Sequence, residues 1–192
     1  MRTDPWLQRW LPLLLERAGA CSVLEIGCGG GDDTAALSAA GARVIAFDLS
    51  PARVATTRAS VPAARISCQD VRAPFPDTGG ACGAVVASLS LHYFGWTETV
   101  QVVSRIHAAL HPGGLLLCRL NSTRDRFHGA LGHRAIEPDY YDVRGQPKRF
   151  FDRAALERLF GGGWHALSVR ELTTHKYLLP KVLWELVLER AA

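Results

Sequence analysis

Short apolar runs alternate along the chain with segments in which apolar residues recur every three or four positions. The runs predict strands, and the recurring positions predict helices that bury one face. Ser50, followed by a proline, is suited to cap one of these helices. The predicted strands cover residues 21–26, 43–47, 64–68, 84–89 and 115–120, and the predicted helices cover residues 5–18, 34–40, 51–60, 96–110 and 152–160.

Two segments carry clear signals for where helices begin and end. Asp4 is placed to cap the first helix, Pro5 suits its first position, and Gly19 suits its end. Residues 111–114, His-Pro-Gly-Gly, are expected to end the fourth helix before the strand at 115.

Strands that alternate with helices form a mostly parallel sheet with helices on both faces. Two further strands, at residues 164–174 and 182–189, are too close in sequence for a crossover helix, so they are expected to pair antiparallel. Residues 121–150 show no clear period and are expected to form a substrate lid or insert. The sequence therefore predicts a three-layer α/β sandwich, with residues 1–192 as one domain.

Composition limits the classes of protein that the chain can belong to. Its 192 residues are 48% hydrophobic and 21% charged, as in a globular protein with one core. A net charge of +4 spread along the chain gives little reason to expect a nucleic acid partner. No apolar run reaches the roughly 20 residues of a membrane span. Five cysteines without a CxxC pair and no secretory signal predict reduced thiols in the cytoplasm.

The segment VLEIGCGGGDDT at residues 23–34 raises the question of which ligand a glycine-rich loop binds. A dinucleotide loop needs G-x-G-x-x-G. Counted from Gly27 the sixth position is Asp32, and counted from Gly29 it is Thr34, so the pattern fails in both registers. The phosphate loop pattern also fails, because no Gly-Lys-Ser/Thr follows.

Charge in the same loop also disfavours phosphates. A pyrophosphate would lie at the start of the next helix, where free amides and the positive end of the helix dipole attract anions. Asp32 and Asp33 stand at that start and would repel it. The predicted ligand is a nucleoside without phosphates, for which a positive charge would be favourable. A purely structural turn is the alternative, although so many glycines are costly in chain entropy.

Two acidic residues suit the sugar and the base of such a nucleoside. Asp48 ends the second predicted strand, where a carboxylate can accept hydrogen bonds from both ribose hydroxyls. Asp70 follows the third strand, where it can accept from an adenine amino group while the Val71 amide donates to the ring. The alternatives are a capping or turn role for Asp48 and an ordinary loop position for Asp70.

In these features the chain resembles the class I S-adenosylmethionine-dependent methyltransferases, and most closely the compact bacterial type that acts on small molecules. The likeness runs from about residue 20 to residue 120. It rests on the acid and glycines at 25–31, on Asp48, on Gln-Asp-Val at 69–71 and on Leu-His-Pro-Gly-Gly at 110–114. The resemblance implies S-adenosylmethionine as the cofactor and a Rossmann-like, seven-stranded sheet of order 3-2-1-4-5-7-6 with strand 7 antiparallel.

The resemblance also implies which residues contact the cofactor. The methionine part is flanked by Glu25, Gly27, Cys28 and Gly29. Asp48 binds the ribose, and Asp70 with Val71 binds the adenine. The expected cofactor-binding residues are Glu25, Gly27, Cys28, Gly29, Asp48, Leu49, Asp70, Val71 and Ser88. The chain departs from the family at Gly30, where a small polar residue or alanine is usual, and at Gly83, where an aspartate is expected before the fourth strand.

Methyl transfer from a sulfonium requires alignment and exclusion of water, and a base only if the acceptor arrives protonated. His92 is the candidate to orient or deprotonate the acceptor, because histidine titrates near neutral pH. Tyr93 is expected on the same wall. The alternative for both residues is that they pack against the cofactor. His92 has a second alternative, which is to cap the next helix. No metal site is expected.

The acceptor is expected to be a small molecule that bears a carboxylate or other anion. Residues 119–150 hold seven arginines and lysines against four acids, and arginine binds carboxylates through two parallel bonds. Asn121, Tyr140 and Arg149 are the expected substrate-binding residues, and whether Arg119 or Asn121 faces the pocket is left open. For most of the basic residues a solvated lid surface is the alternative.

Other functions stay open from sequence alone. An RNA or protein methyltransferase is one, although Ser-Leu-Ser-Leu at 88–91 is not the N/D-P-P-Y tetrad that base methylation uses, and no basic appended domain is evident. A regulatory protein that binds the cofactor without catalysis is another. A dehydrogenase is disfavoured by the charge of the loop. The tip at residues 175–177 and the N-terminal tryptophans are further candidates to wall the pocket.

Overall fold

A computed structural model describes residues 5–192 and contains ten strands and five α-helices within them. The strands are Val23–Ile26 (β1), Val44–Asp48 (β2), Arg65–Cys68 (β3), Cys82–Ser88 (β4), Leu110–Asn121 (β5), Arg134–Glu137 (β6), Tyr140–Val143 (β7), Gln146–Arg149 (β8), Trp164–Thr174 (β9) and Lys181–Arg190 (β10). The helices are Leu11–Ala18 (α1), Asp32–Ala39 (α2), Pro51–Ser60 (α3), Trp96–Ala109 (α4) and Arg153–Phe160 (α5).

Seven strands form one sheet in the order β3-β2-β1-β4-β5-β10-β9. Strands β1 to β5 are parallel, whereas β10 runs antiparallel to both of its neighbours, β5 and β9. The strand order implied by the resemblance and the predicted antiparallel hairpin are both confirmed. Strand order reverses between β1 and β4, and open α/β sheets bind ligands beyond the carboxyl ends of the strands at such a point.

Helices cover both faces of this sheet. Helices α4 and α5 pack on one face through residues such as Ile106 and Leu156. Helices α1, α2 and α3 pack on the other through Leu14, Leu37 and Val54. Because the central strands are buried on both faces, they read as continuous apolar runs in the sequence. The three-layer sandwich is confirmed.

The predicted beginning of the first helix at Pro5 is wrong. A short 3₁₀ turn covers Gln8–Trp10, and α1 begins at Leu11. A helix that began at Pro5 would place Pro12 in its interior, where the missing N–H and the ring disrupt the helix. Beginning at Leu11 instead puts Pro12 in the first turn, where proline is tolerated. Asp4, the predicted cap, lies outside the described residues.

The absence of an acid at position 83 has a steric reason. A Cβ on Gly83 would overlap the backbone and side chain of Ala18, the last residue of α1. Glycine therefore lets α1 approach β4 more closely than any other residue would. The His-Pro-Gly-Gly segment was expected to end a helix before a strand at 115, but β5 already begins at Leu110, which pairs with Cys82.

Residues 121–150, in which the sequence shows no clear period, contain regular structure. Strands β6, β7 and β8 form a separate three-stranded antiparallel sheet. Two-residue turns join them, and positive φ angles occur at Asp139 (54°), Arg144 (56°) and Gly145 (82°). The Arg144-Gly145 turn has the backbone that a tight hairpin prefers. The strands escaped prediction because each has four residues and only three of their twelve side chains are buried.

None of the described helices is long and apolar enough to cross a membrane. All five cysteine thiols are free, and three of them, at positions 28, 82 and 118, are buried.

Candidate active site

The glycine loop follows β1 and is held against the end of β2 by hydrogen bonds. The Gly27 and Cys28 amides both donate to the Phe47 carbonyl, at 2.8 and 3.1 Å. The Gly29 amide donates to Asp48 Oδ2 at 2.9 Å. These bonds are made within the chain, so the protein itself fixes the shape of the loop.

Asp48 stands at the end of β2 with both carboxylate oxygens already accepting backbone N–H groups. Oδ2 accepts from Gly29, and Oδ1 accepts from the Ser50 amide at 2.9 Å. Each oxygen has a further lone pair, so two more hydrogen bonds are possible. The next residue, Leu49, is 67% exposed. An exposed leucine beside an oriented carboxylate suits a ligand that has both hydroxyls and a flat ring.

Asp70 and Val71 follow β3, the neighbour of β2. The Gln69 amide donates to the Asp48 carbonyl at 3.1 Å, which brings the two predicted acidic positions to adjacent strand ends. Asp70 accepts from the Arg72 amide at 2.8 Å and from the Arg72 side chain at 3.1 Å. The amide bond is the main cause of the lowered pKa of Asp70. The predicted contact with adenine stays a prediction.

Glu25 lies in β1 directly beneath the loop and is buried. Its Oε2 accepts from Thr34 Oγ1 at 2.6 Å. Burial raises the pKa of Glu25 to about 8, the Thr34 bond opposes this, and the charges of Asp33 and Asp48 raise it further. In the protein without ligand, this carboxyl therefore holds its proton at neutral pH.

We expect a Glu25→Gln variant to unfold less readily than the natural chain at high pH. The unfolded glutamate ionises near its ordinary pKa of 4.5, so the folded state loses relative stability as pH rises from there through about 8. Glutamine cannot ionise and still accepts from Thr34. The variant should match the natural chain at pH 5 and exceed it by at least about 1 kcal/mol at pH 9. Urea unfolding at both values measures this, and an equal pH dependence would show that Glu25 is not protonated when folded.

The two aspartates at the start of α2 each have a partner, which corrects the view that they present open negative charge. Trp6 Nε1 donates to both oxygens of Asp33, at 2.9 and 3.1 Å. Lys176 Nζ lies 3.2 Å from Asp32 Oδ2. Burial raises the pKa of Asp33, against the Trp6 bond. The repulsion of a phosphate at this helix start is therefore weaker than the sequence suggested.

A cavity of about 160 Å³ opens between the glycine loop and the end of β4. Five of the nine predicted cofactor residues line it, namely Glu25, Gly27, Cys28, Gly29 and Ser88. Lys176 and Tyr177, from the loop between β9 and β10, lie across it, so the tip of that hairpin walls the cavity. Trp6 contacts the cavity lining by its hydrogen bonds to Asp33. The sequence had raised both walls only as alternatives.

The space above the loop is suited to a ligand with polar groups. A Cβ on Gly29 would meet no atom within 4 Å, so that residue faces open space. A Cβ on Gly27 would lie 2.7 Å from Ser90 Cβ, so only glycine leaves the loop and the β4 end this close. Ser90 Oγ is buried and has no hydrogen-bond partner among the described residues. A nucleoside with donor groups fits this cradle.

Arg119 and Asn121 lie two residues apart on β5, so their side chains point to the same side of the strand. Arg119 lines the cavity, where Nε donates to Ser88 Oγ at 3.0 Å and the guanidinium stacks 4.6 Å from the Trp6 ring centre. Asn121 is buried farther along, and its Nδ2 donates to the Arg149 carbonyl at 3.4 Å. The open question is answered for the cofactor cavity, which Arg119 faces.

His92 is buried beside the end of β8. Its carbonyl accepts from the Arg149 amide at 2.7 Å. Burial lowers the pKa of His92 well below its ordinary value, and the positive charges of Lys181 and Lys148 lower it further. The ring is therefore neutral at pH 7 and is a weak base. Its Nδ1 is buried with no hydrogen-bond partner in the described chain. Tyr93, 4.2 Å away between ring centres, is partly exposed.

Arg149 and Tyr140, both expected to bind substrate, are engaged within the protein. The Arg149 side chain donates to the Phe94 carbonyl at 3.1 Å and the Pro138 carbonyl at 3.2 Å, and it pairs with Glu137. Tyr140 Oη donates to the Tyr93 carbonyl at 3.0 Å. These contacts tie the small sheet to the segment after β4, so the Arg149 guanidinium and the Tyr140 hydroxyl already have partners within the protein.

Sequence reasoning missed Lys181 and Ser90. A lysine that begins the apolar run of β10 was a usable signal, because lysine is almost never buried without a partner. Ser90 gave no such signal. Within residues 5–192 no three histidine, cysteine or acidic side chains come together in an arrangement that could hold a metal ion.

Comparison with known proteins points in one direction. Residues 23–114 match the family model described as methyltransferase domain. The trans-aconitate 2-methyltransferase of Delftia acidovorans is 36% identical over an alignment of 174 residues, covering 78% of this chain and 63% of that protein. The protein of the same name from Paracidovorax citrulli is 32% identical over 131 residues, covering 67% of this chain and 50% of that protein. The chain thus spans between half and two thirds of these relatives' length.

Solved structures share the whole fold. An S-adenosylmethionine-dependent methyltransferase of Clostridium acetobutylicum superposes with a TM-score of 0.74 at 14% identity, over 99% of this chain and 93% of its own. The magnesium protoporphyrin IX methyltransferase of Synechocystis, solved with bound S-adenosylmethionine, gives 0.69 at 16% identity, over 97% and 79%. At such identities the likeness establishes the fold alone.

Proposed function

Because the chain belongs to the class I S-adenosylmethionine-dependent methyltransferases, we propose that it transfers a methyl group from S-adenosylmethionine to a carboxylate oxygen of a small organic acid. The observation that carries this proposal is the cradle around the glycine loop. There the backbone amide of Gly29 orients Asp48, and the loop lines a cavity beside the end of β4.

The residues around the cradle divide the cofactor among them in this proposal. Glu25, Gly27, Cys28, Gly29 and Ser88 line the cavity for its methionine part. The two remaining lone pairs of Asp48 accept from the ribose hydroxyls, and Leu49 with Asp70 and Val71 receives the adenine. When bound, the cofactor supplies a methyl group that its positive sulfur makes electrophilic.

Exclusion of water is the second task of the site. Tyr177 lines the cavity, and Trp6 packs against two of its lining residues, Asp33 and Arg119. Each of the two aromatic residues is held in place through a carboxylate. Trp6 binds Asp33 directly, and Lys176, next to Tyr177, pairs with Asp32. Asp32 and Asp33 thus hold the walls of the pocket. A dry pocket strengthens the attraction between the reacting groups and prevents hydrolysis.

A carboxylate acceptor agrees with the state of His92. Carboxylates are ionised at neutral pH and need no base, and the buried neutral ring of His92 is poorly suited to be one. We therefore assign His92 an orienting role and leave Tyr93 on the wall beside it. The relatives at 32% and 36% identity are named for trans-aconitate, a tricarboxylate. An acid of this kind would satisfy the positive charge near His92.

The alternative functions differ from this one in the acceptor that the protein would bind. An RNA or protein methyltransferase would bind a large polyanion or a peptide, and a regulatory protein would bind the cofactor without turnover. We favour a small acid as the acceptor because the relatives are named for trans-aconitate and because Lys148 and Lys181 place positive charge near His92. In this proposal the protein acts in the cytoplasm and has neither a nucleic acid nor a membrane as its partner.

We expect S-adenosylmethionine and S-adenosylhomocysteine to raise the melting temperature, whereas NAD leaves it unchanged. With labelled S-adenosylmethionine, methyl transfer to trans-aconitate should exceed transfer to RNA or to unfolded protein. Esterification is confirmed if mild alkali releases the label as methanol. Stabilisation by NAD alone would overturn the cofactor assignment. Cofactor binding without transfer to any acid would leave the regulatory reading.

A further inference from the structure

A buried ion pair stands beside the proposed acceptor site and has no role in the cofactor cradle. Lys181, the first residue of β10, is 8% exposed, and Asp125 is fully buried. Lys181 Nζ lies 2.9 Å from Asp125 Oδ2. Asp125 Oδ1 also accepts from the Val182 amide at 3.3 Å. Two charges removed from water are costly to keep in a protein core, so a hydrophobic pair would serve stability at least as well.

Backbone contacts fix Asp125 in turn. Its amide donates to the Ser122 carbonyl at 2.9 Å, and its own carbonyl accepts from the Ala130 amide at 3.2 Å. Residues 122–130 therefore fold around Asp125, which holds the Lys181 ammonium in one position. An ammonium held in this way loses little further conformational freedom when a ligand binds.

A second lysine approaches from the small sheet. Lys148 lies in β8 and is partly buried, and no carboxylate in the described chain lies within ion-pair distance of it. Lys148 and Lys181 both lower the pKa of His92, and Lys148 lowers that of Lys181. Backbone contacts connect the segments that carry them. The amide of Arg149, the residue after Lys148, donates to the His92 carbonyl at 2.7 Å, and the amide of Ser122, the residue after Asn121, donates to the carbonyl of Val182, the residue after Lys181, at 3.3 Å. Lys181 pairs with Asp125, and Lys148 has no ion pair within the described residues, so the two lysines and this one carboxylate carry a net positive charge.

Unsatisfied polar atoms occupy the same place. His92 Nδ1 and Asn121 Oδ1 are both buried and lack hydrogen-bond partners among the described residues. Arg149 links the two residues, because its amide donates to the His92 carbonyl and its carbonyl accepts from Asn121 Nδ2. Buried polar atoms are nearly always satisfied, so such orphans mark where a ligand or water belongs.

We propose that Lys148 and Lys181 form the carboxylate-recognising part of the acceptor site, with Asp125 as the positioning residue for Lys181 and with His92 and Asn121 beside them. This inference rests on the proposed function and deepens it. A carboxylate bound to two ammonium groups is a poor nucleophile, so the carboxylate that receives the methyl group is another one. The acceptor must then carry at least two carboxylates, and the product is a monoester that keeps at least one anionic group.

The test compares trans-aconitate with crotonate, a monocarboxylate with the same kind of double bond. We expect the natural chain to bind trans-aconitate in the presence of S-adenosylhomocysteine and to bind crotonate at least tenfold more weakly. Lys148→Met removes a charge that has no ion-pair partner, so the fold is retained. Lys181→Met is combined with Asp125→Asn, because the single change would leave a buried carboxylate unpaired, and asparagine can still accept from the Val182 amide.

Both variants are expected to raise the KM for trans-aconitate about five- to tenfold, with kcat changed less than threefold and with unchanged affinity for S-adenosylhomocysteine. Arg134→Met is the matched control. Arg134 is an exposed cation on the same small sheet that pairs with Asp142 at 3.3 Å, so its loss should leave KM unchanged.

The outcomes separate this inference from the proposed function. If the natural chain methylates trans-aconitate and both variants keep its KM, the lysines do not recognise the acid and the inference fails alone. If trans-aconitate binds through the lysines but is not methylated, the proposed function fails alone. If the natural chain binds trans-aconitate no better than crotonate, the inference is overturned whatever the activity.

Discussion

A Gly27→Ala variant is expected to bind S-adenosylhomocysteine at least a hundredfold more weakly than the natural chain, a loss of about 2.7 kcal/mol. Gly27 has a φ of 78°, which costs alanine about 1–2 kcal/mol. A new Cβ would also lie 2.7 Å from Ser90 Cβ, so the loop and the β4 end must separate. The cofactor cavity lies between them, and its walls would lose their spacing. Isothermal calorimetry at constant salt measures the affinity.

Gly41→Ala provides the matched control for this variant. Gly41 has a similar φ of 90°, but a Cβ there would meet no atom within 4 Å, and the residue lies outside the cavity. Both variants should lose similar backbone stability in urea unfolding, while only Gly27→Ala loses affinity. If Gly27→Ala binds as tightly as Gly41→Ala, the close approach of the loop to Ser90 is not needed for the cofactor.

The central sheet was predictable because its strands are buried on both faces. A strand such as β4 consists almost wholly of apolar residues, and no other element explains such a run followed by a helix period. The hairpin of β9 and β10 followed from the short connection between them. The small sheet was not predictable in this way, since its strands bury few side chains and so lack a pattern of alternation. Its clearest signal was the Arg144-Gly145 turn.

The residues expected around the cofactor could be grouped from sequence, because they follow strand ends in a fixed order. On the acceptor side the sequence suggested His92. It did not suggest Lys181 or its pairing with Asp125, because those two residues come from distant segments. Arg149 shows the limit most clearly. Its charge suggested an anion site, yet the fold uses its donors to join the small sheet to the segment after β4.

The aspartates at the start of α2 show why charge in a sequence is a weaker guide than charge in a structure. Asp32 and Asp33 were expected to repel a phosphate. Lys176 and Trp6 come from opposite ends of the chain, and their contacts reduce that repulsion. What remains against a dinucleotide is the glycine pattern, which fails in both registers, together with the family to which the chain belongs. The prediction about NAD binding therefore tests the loop more than its charge.

An Asp48→Ala variant is expected to lose ten- to a hundredfold in affinity for S-adenosylhomocysteine, about 1.4 to 2.7 kcal/mol. Hydrogen bonds to a charged carboxylate contribute about 1.5 to 3 kcal/mol each, and the ribose offers two hydroxyls. The Gly29 amide would also lose its acceptor at 2.9 Å, which loosens the loop that lines the cavity. The predicted adenine contacts of Asp70 and Val71 are not changed by the substitution, so we expect some affinity to remain. Isothermal calorimetry with S-adenosylhomocysteine and with adenosine measures the affinity that is lost and the affinity that remains.

Asp152→Ala is the control for the loss of a carboxylate that holds a backbone amide elsewhere in the fold. Asp152 Oδ1 accepts from the Ala155 amide at 2.7 Å at the start of α5, and its removal costs about 1 kcal/mol of stability as a helix cap. This variant loses a carboxylate that holds a backbone amide, as Asp48→Ala does, but lies outside the cradle. Its affinity for S-adenosylhomocysteine should equal that of the natural chain. Equal affinities of the Asp48→Ala and Asp152→Ala variants would mean that Asp48 shapes the loop end without contacting the ribose.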